Sequence, residues 1–197
     1  MARTQQQRRE ETIARLLDAS IDTIVEVGYA RASAAVIAKR AQVSDGALFR
    51  HFPTMGDFMA ATAREVMRRQ LELFTKRVAE IPAEESVLEA ALMVLRDITA
   101  NPTNAVMYEL LIAARTDEKL TATLRDVLAE YAAKINEIAS TVPGSDGFPP
   151  DVFATVVATL TNAFDGAAIV RAVLPQPELE ERRVALLATL LEGGLRG

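Results

Sequence analysis

The chain has 197 residues, with 22 Lys+Arg against 27 Asp+Glu, one His and no Cys, for a formal charge of −5. Half of the residues are hydrophobic and a quarter charged, the balance of a folded globular chain. Zero Cys excludes disulfide scaffolds, thiolate zinc sites, iron–sulfur clusters and a Cys nucleophile, and a single His excludes His-pair metal sites.

The start, Met1 to Glu10, is polar and basic without an apolar stretch behind it, so no signal peptide is expected. No apolar run approaches the ~18 residues that a membrane helix requires, so no membrane partner is expected and the cytoplasm is the expected location. Apolar residues recur at three- and four-residue spacing, and no strict alternation bounded by turn residues appears. The fold class is therefore all-α.

Residues 1–9 read as a flexible arm. The first helix is expected from about Glu10 to Val27, with Ile13, Leu16, Leu17, Ile21 and Ile24 on one face and Gly28 as its stop. A short helix follows from Ser33, a natural N-cap, to Ala41. Gln42 and Val43 form a tight break, and Ser44 caps a second short helix that ends near Phe52, before Pro53.

Longer helices come next: from Thr54 or Asp57 to Ala79, then Glu84–Ala100, Thr103–Ala114 and Glu118–Ser140. A loop over 142–150 carries two Gly and three Pro. Pro150–Leu174 and Glu178–Leu191 complete about nine helices, divided into a head over 10–56 and a larger domain over 57–197.

Two short segments joined by a tight turn and preceded by a packing helix make a helix-turn-helix outline. In the second short helix Leu48 and Phe52 point inward with Val43. Asp45, Gly46, Phe49 and Arg50 lie outward, flanked by Ala47 and His51. Small residues near the N-terminus permit close approach to a DNA groove, and a long cation reaches a base edge or a phosphate. The same outline also suits a helical module that binds protein without specific DNA binding. Asp45 is suited either to the helix dipole or to a base contact.

The run Ile37-Ala38-Lys39-Arg40-Ala41-Gln42-Val43-Ser44-Asp45-Gly46-Ala47-Leu48-Phe49-Arg50-His51-Phe52-Pro53, with Val27-Gly28-Tyr29 and Ser33 ahead of it, closely resembles the signature of the tetracycline-repressor (TetR/AcrR) family of bacterial transcription regulators. The resemblance covers roughly residues 8 to 60 and keeps order and spacing. It implies DNA contacts from Ser33, from Ser44, Asp45, Gly46, Ala47, Phe49, Arg50 and His51, and from Thr54 at the start of the fourth helix. Tyr29 is expected to pack the head. Three positions depart from the pattern: Phe49 where a Tyr is common, Asp45 where Lys or Arg is common, and Gln42 where Gly is usual. A left-handed Gln42 costs on the order of 1 kcal/mol.

The resemblance further implies a homodimeric, ligand-responsive repressor that binds a near-palindromic double-stranded DNA operator. Its last two long helices are expected to form the dimer interface through Val156, Val157, Leu160, Phe164, Leu186 and Leu190. In the larger domain Leu88, Leu92, Leu95, Leu110, Leu111, Leu124, Leu128 and Ile135 form the expected core. Met93, Met107, Tyr108 and Leu111 are candidates to line a cavity for a small, largely apolar effector, with Arg96, Asn162 and Asp165 as polar contacts. No cofactor or metal is expected. No phosphate-binding loop, dinucleotide fingerprint, zinc-protease motif or nucleophile elbow occurs, so an enzyme is not expected. Charge divides unevenly: residues 1–60 carry a net +1 and residues 61–197 a net −6. The acidity belongs to the larger domain, so the total charge does not exclude DNA.

Overall fold

The computed structural model describes residues 4–82, 86–143 and 145–194. Among them the regular structure is helical throughout: α1 (Gln5–Val27), α2 (Ala34–Arg40), α3 (Asp45–His51), α4 (Met55–Ala79), α5 (Val87–Thr99), α6 (Ala105–Ala114), α7 (Glu118–Ala139), α8 (Pro150–Arg171) and α9 (Pro177–Gly194). Short 3-10 turns stand at Tyr29–Arg31, Pro102–Asn104 and Ser145–Gly147. The expected start of the fifth helix at Glu84 lies outside the described residues.

α1 begins five residues earlier than its apolar periodicity indicates, which takes residues 5–9 out of the expected arm. Thr4 is the cause. Its hydroxyl accepts from the Gln7 N–H at 3.2 Å and its own N–H donates to Gln7 Oε1 at 2.9 Å, a reciprocal capping box. A polar first turn leaves no trace in an apolar pattern.

By packing, the chain divides into two compact units. The first is Met1–Arg68 with Pro102–Leu128, so the head shares a core with α6 and half of α7. Leu16, Ile24, Ile37, Leu48, Phe58, Val106 and Leu110 are fully buried there. Each such side chain contributes roughly 1.5–3 kcal/mol on burial. Leu111, expected in the core, is exposed instead: the inner face of α6 is Val106, Met107 and Leu110, and position 111 falls one step off that stripe. The buried hydroxyls of Thr62 and Ser20 meet at 3.0 Å and tie α4 to α1.

The second unit is Arg69–Asn101 with Ala129–Gly197. α5 packs there against α8 and α9 around Leu92, Phe164, Val184 and Ala188, with Leu88, Leu95, Leu160, Leu187 and Leu191 at the margin. By length and average composition alone α8 is long and apolar enough to cross a membrane, although it holds no continuous apolar run of the kind a membrane helix needs. Its Ala, Val and Thr content raises the hydropathy without any long uninterrupted apolar run, and much of the helix surface stays exposed.

Candidate nucleic-acid interface

The turn between α2 and α3 is a Schellman motif. The Gln42 N–H donates to Lys39 O at 3.2 Å and the Val43 N–H to Ala38 O at 3.0 Å. Gln42 occupies the left-handed position, with φ +56°. Ser44 then caps α3 with extended backbone and makes no capping bond with its side chain. Ser33 caps α2, its hydroxyl accepting from the Val36 N–H at 3.4 Å.

Leu48 is fully buried and fastens α3 to the core of the head. Phe52, half-buried, stacks on Phe58 with ring centroids 4.9 Å apart, which fixes the exit from α3. With that side anchored, Gly46, Phe49 and Arg50 project outward, and Ala47 and His51 sit at the flanks. Phe49 is 45% exposed although apolar. A Cβ added at Gly46 would meet nothing within 4 Å, so the surface at this turn is open. Asp45 begins α3; its side chain lies outside the described residues.

Burial, and then the charges of Arg9 and Arg50, hold the His51 imidazole below its ordinary value, so it is neutral at pH 7. Arg9, from the extended first turns of α1, is thus a neighbour that periodicity did not reveal. Thr54, expected to contact DNA, is exposed and caps α4. Its hydroxyl donates to Asp57 Oδ2 at 2.7 Å and accepts from the Asp57 N–H at 3.1 Å, a capping pair at the start of α4. Tyr29 packs the head: it is half-buried, and burial together with Asp117 pushes its phenol up.

In the second unit a cavity of about 320 Å³ opens among Phe74, Leu92, Leu95, Ile135, Phe153 and Leu160. Val156 and Val157 also line it, so three residues expected at a dimer interface face this space. None of the seven expected ligand residues lines it. Met107 is buried in the first unit and Tyr108 bonds to Asn104 at 2.8 Å. Leu111 and Asn162 are exposed. Met93 and Arg96 border a separate shallow cleft, where Arg96 is bound to Asp97 at 2.8 Å. Asp165 sits near Tyr131, whose phenol is raised by burial and by that carboxylate. The signal available in sequence was the stripe Leu88, Leu92 and Leu95, read above as core alone, with Phe148 in the long loop and Phe153 in the first turn of α8.

A further surface is open. Val157 and Phe164 are buried within the unit, 7% and 1% exposed, which corrects their assignment to a partner-facing surface. They lie seven residues apart on the inner side of α8. The exposed apolar side chains are Val152, Ile169 and Val170 on α8, Val173 and Leu174 just beyond it, and Leu179, Leu186 and Leu190 on α9. Among the described residues no group of acidic, His or Cys side chains is arranged to hold a metal.

A family model described as bacterial regulatory proteins, tetR family, matches residues 16–62. An HTH-type transcriptional regulator of Mycobacterium tuberculosis, itself described as uncharacterised, is 71% identical over 195 residues, spanning 99% of this chain and 100% of the relative. The HTH-type regulator CymR of Pseudomonas putida is 25% identical over 167 residues, 85% of this chain and 82% of that one. Among solved structures, FadR of Bacillus subtilis in complex with stearoyl-CoA shares the fold with a TM-score of 0.64 at 18% identity, over 90% of this chain and 96% of that one.

Proposed function

The chain belongs to the tetR family of bacterial regulatory proteins and is a DNA-binding transcriptional regulator, not an enzyme; from this premise we propose that it is a dimeric repressor released from its operator by a small apolar effector. Residues 10–56 read the DNA, and the remainder holds the effector and the partner copy, in the cytoplasm where the DNA is. The carrying observation is the outward face of α3, where Arg50, Phe49 and Gly46 stand exposed above a fully buried Leu48. Arg50 takes a phosphate or a guanine edge. Phe49 and Ala47 offer apolar contact to a thymine methyl. Ser33 and Ser44, both exposed, supply short donors to phosphate.

Two copies are needed because one seven-residue helix reads too few base pairs. The exposed apolar row of α8 and α9 supports a two-fold interface, with Leu179, Leu186 and Leu190 of one copy against the other. Gly166 fits the same reading, since a Cβ there would meet nothing within 4 Å in the single chain and a partner helix has room to approach. Paired recognition helices then enter successive major grooves about 34–36 Å apart, and the operator is a near-palindrome. The 320 Å³ cavity, lined mostly by Leu, Val and Phe, supports an apolar effector. A coupling of ~1–3 kcal/mol is enough for a useful switch.

Fluorescence anisotropy with a duplex taken from upstream of the protein's own coding sequence tests this. Affinity should fall steeply with salt, and Arg50→Ala should lower it by about 10- to 100-fold, the scale of one base or phosphate contact. Unchanged affinity in Arg50→Ala sinks the assignment of α3 as the reading helix.

A further inference from the structure

We propose that Glu109 is a positioning residue for DNA binding: its carboxylate, carried on α6, fixes the corner between α1 and α2 on which the helix-turn-helix is mounted. The inference rests on the DNA-binding reading above and adds to it a residue outside the head's own sequence.

The corner leaves α1 at Val27 and turns at Gly28, with φ +83°. It runs through the 3-10 turn Tyr29–Arg31 and reaches Ser33, the cap of α2. Much of it closes on itself: the Gly28 N–H donates to Ile24 O at 2.9 Å, the Ala32 N–H to Tyr29 O at 3.0 Å and Arg31 Nε to Val27 O at 2.6 Å. The Tyr29 N–H opens the 3-10 turn, a position that has no acceptor within the turn. Glu109 Oε2 accepts it from outside. A charged acceptor makes such a bond roughly twice as strong as a neutral one.

A second contact is steric. A Cβ built at Gly28 would lie 3.2 Å from Glu109 Oε2 and 3.8 Å from its Cδ, so the absence of a side chain there is what admits the carboxylate. Gly28 is required for its positive φ, and a side chain there would in addition press closely on the Glu109 carboxylate. The next side chain, the Tyr29 ring, is half-buried at the same corner. α6 is itself held by buried Val106, Met107 and Leu110. A carboxylate on so anchored a helix is a fixed point. Because α2 and α3 follow the corner without a flexible linker, a change in its angle moves the whole reading surface.

The test compares Glu109→Ala with Glu109→Gln in the full-length protein, at a temperature where circular dichroism shows both fully helical. Two readouts are taken: amide hydrogen exchange at Tyr29, and the ratio of affinities for the upstream duplex and a scrambled duplex of the same length. Glu109→Ala should speed exchange at Tyr29 at least tenfold and lower the affinity ratio about tenfold, with binding to the scrambled duplex unchanged. Glu109→Gln keeps an acceptor oxygen and should recover most of both. Equal behaviour of the Ala and Gln variants, or a wild-type ratio in Glu109→Ala, overturns the proposal. Failure of the wild-type protein to distinguish the two duplexes counts against the DNA-binding reading instead, and the exchange rate at Tyr29 still decides whether Glu109 holds the corner.

Discussion

Polar bonds close the first unit at nearly every bend, whereas the second leaves apolar surface open both inside and out. In the head, Gln7, Asp57 and Glu109 satisfy backbone donors at Thr4, Thr54 and Tyr29, and Arg40 reaches Glu26 at 2.6 Å to join α2 to α1. In the second unit Phe74, Leu95 and Leu160 face the cavity, while Leu186 and Leu190 are 58% and 61% exposed. In the function proposed above, the contrast follows from what each part meets. DNA presents a stiff ligand of fixed spacing, so the surface that reads it has to be held rigid. A partner helix or an apolar effector completes the packing when it arrives, so the apolar surface is left available for it.

The largest expected effect comes from attacking the open face. Leu186→Glu with Leu190→Glu places two charges where a partner copy is proposed, on side chains that do little for the isolated chain. Analytical ultracentrifugation should show a monomer with unchanged helicity. Affinity for the upstream duplex should drop by ~100-fold or more, because the second half-site no longer benefits from linkage to the first. A double variant that remains dimeric removes this face from the proposed interface and erases half of the contrast.

A smaller effect tests how rigid the head is. Gln42 sits at φ +56°, a conformation that costs a side-chain-bearing residue about 1 kcal/mol and glycine nothing. Gln42→Gly should raise the melting temperature by about 2–4 °C, the shift that 1 kcal/mol produces in a chain of this size, with DNA binding retained. A lower melting temperature means that the glutamine supports the turn in some way its backbone does not reveal.

The smallest effect concerns His51. Its depressed folded-state value means that the unfolded chain takes up the proton first, so acidification below about pH 6.5 removes stability, and at pH 7 and above the group contributes nothing. Bound phosphate acts in the opposite sense and favours the imidazolium. Between pH 7.5 and 5.5 wild-type affinity for DNA should rise a few-fold, a rise that His51→Gln should lack. Parallel profiles for the two proteins place His51 away from phosphate.

Much of the head was legible because its determinants are local. Gly28, Ser33, Ser44 and Pro53 punctuate the chain, and Leu48 and Phe52, four apart, define the inner face of α3, so the outward set of Gly46, Phe49 and Arg50 follows by subtraction. The left-handed Gln42 was suggested by the family resemblance, which usually places Gly at that position. The lining of the cavity and the exposed apolar row of α8 and α9 were not legible. Met93 and Leu111 were singled out by chemistry, while burial on α8 depends on which neighbours stand beside it. Val157 and Phe164 turn toward α5 and α9, and the exposed row passes through Val152, Ile169 and Val170.

The sequence by itself determined the helical class, the order of the helices within a few residues and the outward face of α3, because helical period, caps and breakers act over one or two turns. Tertiary structure alone decided that Pro102–Leu128 joins the head, that Glu109 reaches Tyr29 across eighty positions of chain, and that the cavity lies against the α5 leucines. Those outcomes depend on which apolar faces find one another, and a one-dimensional pattern of faces leaves their pairing open.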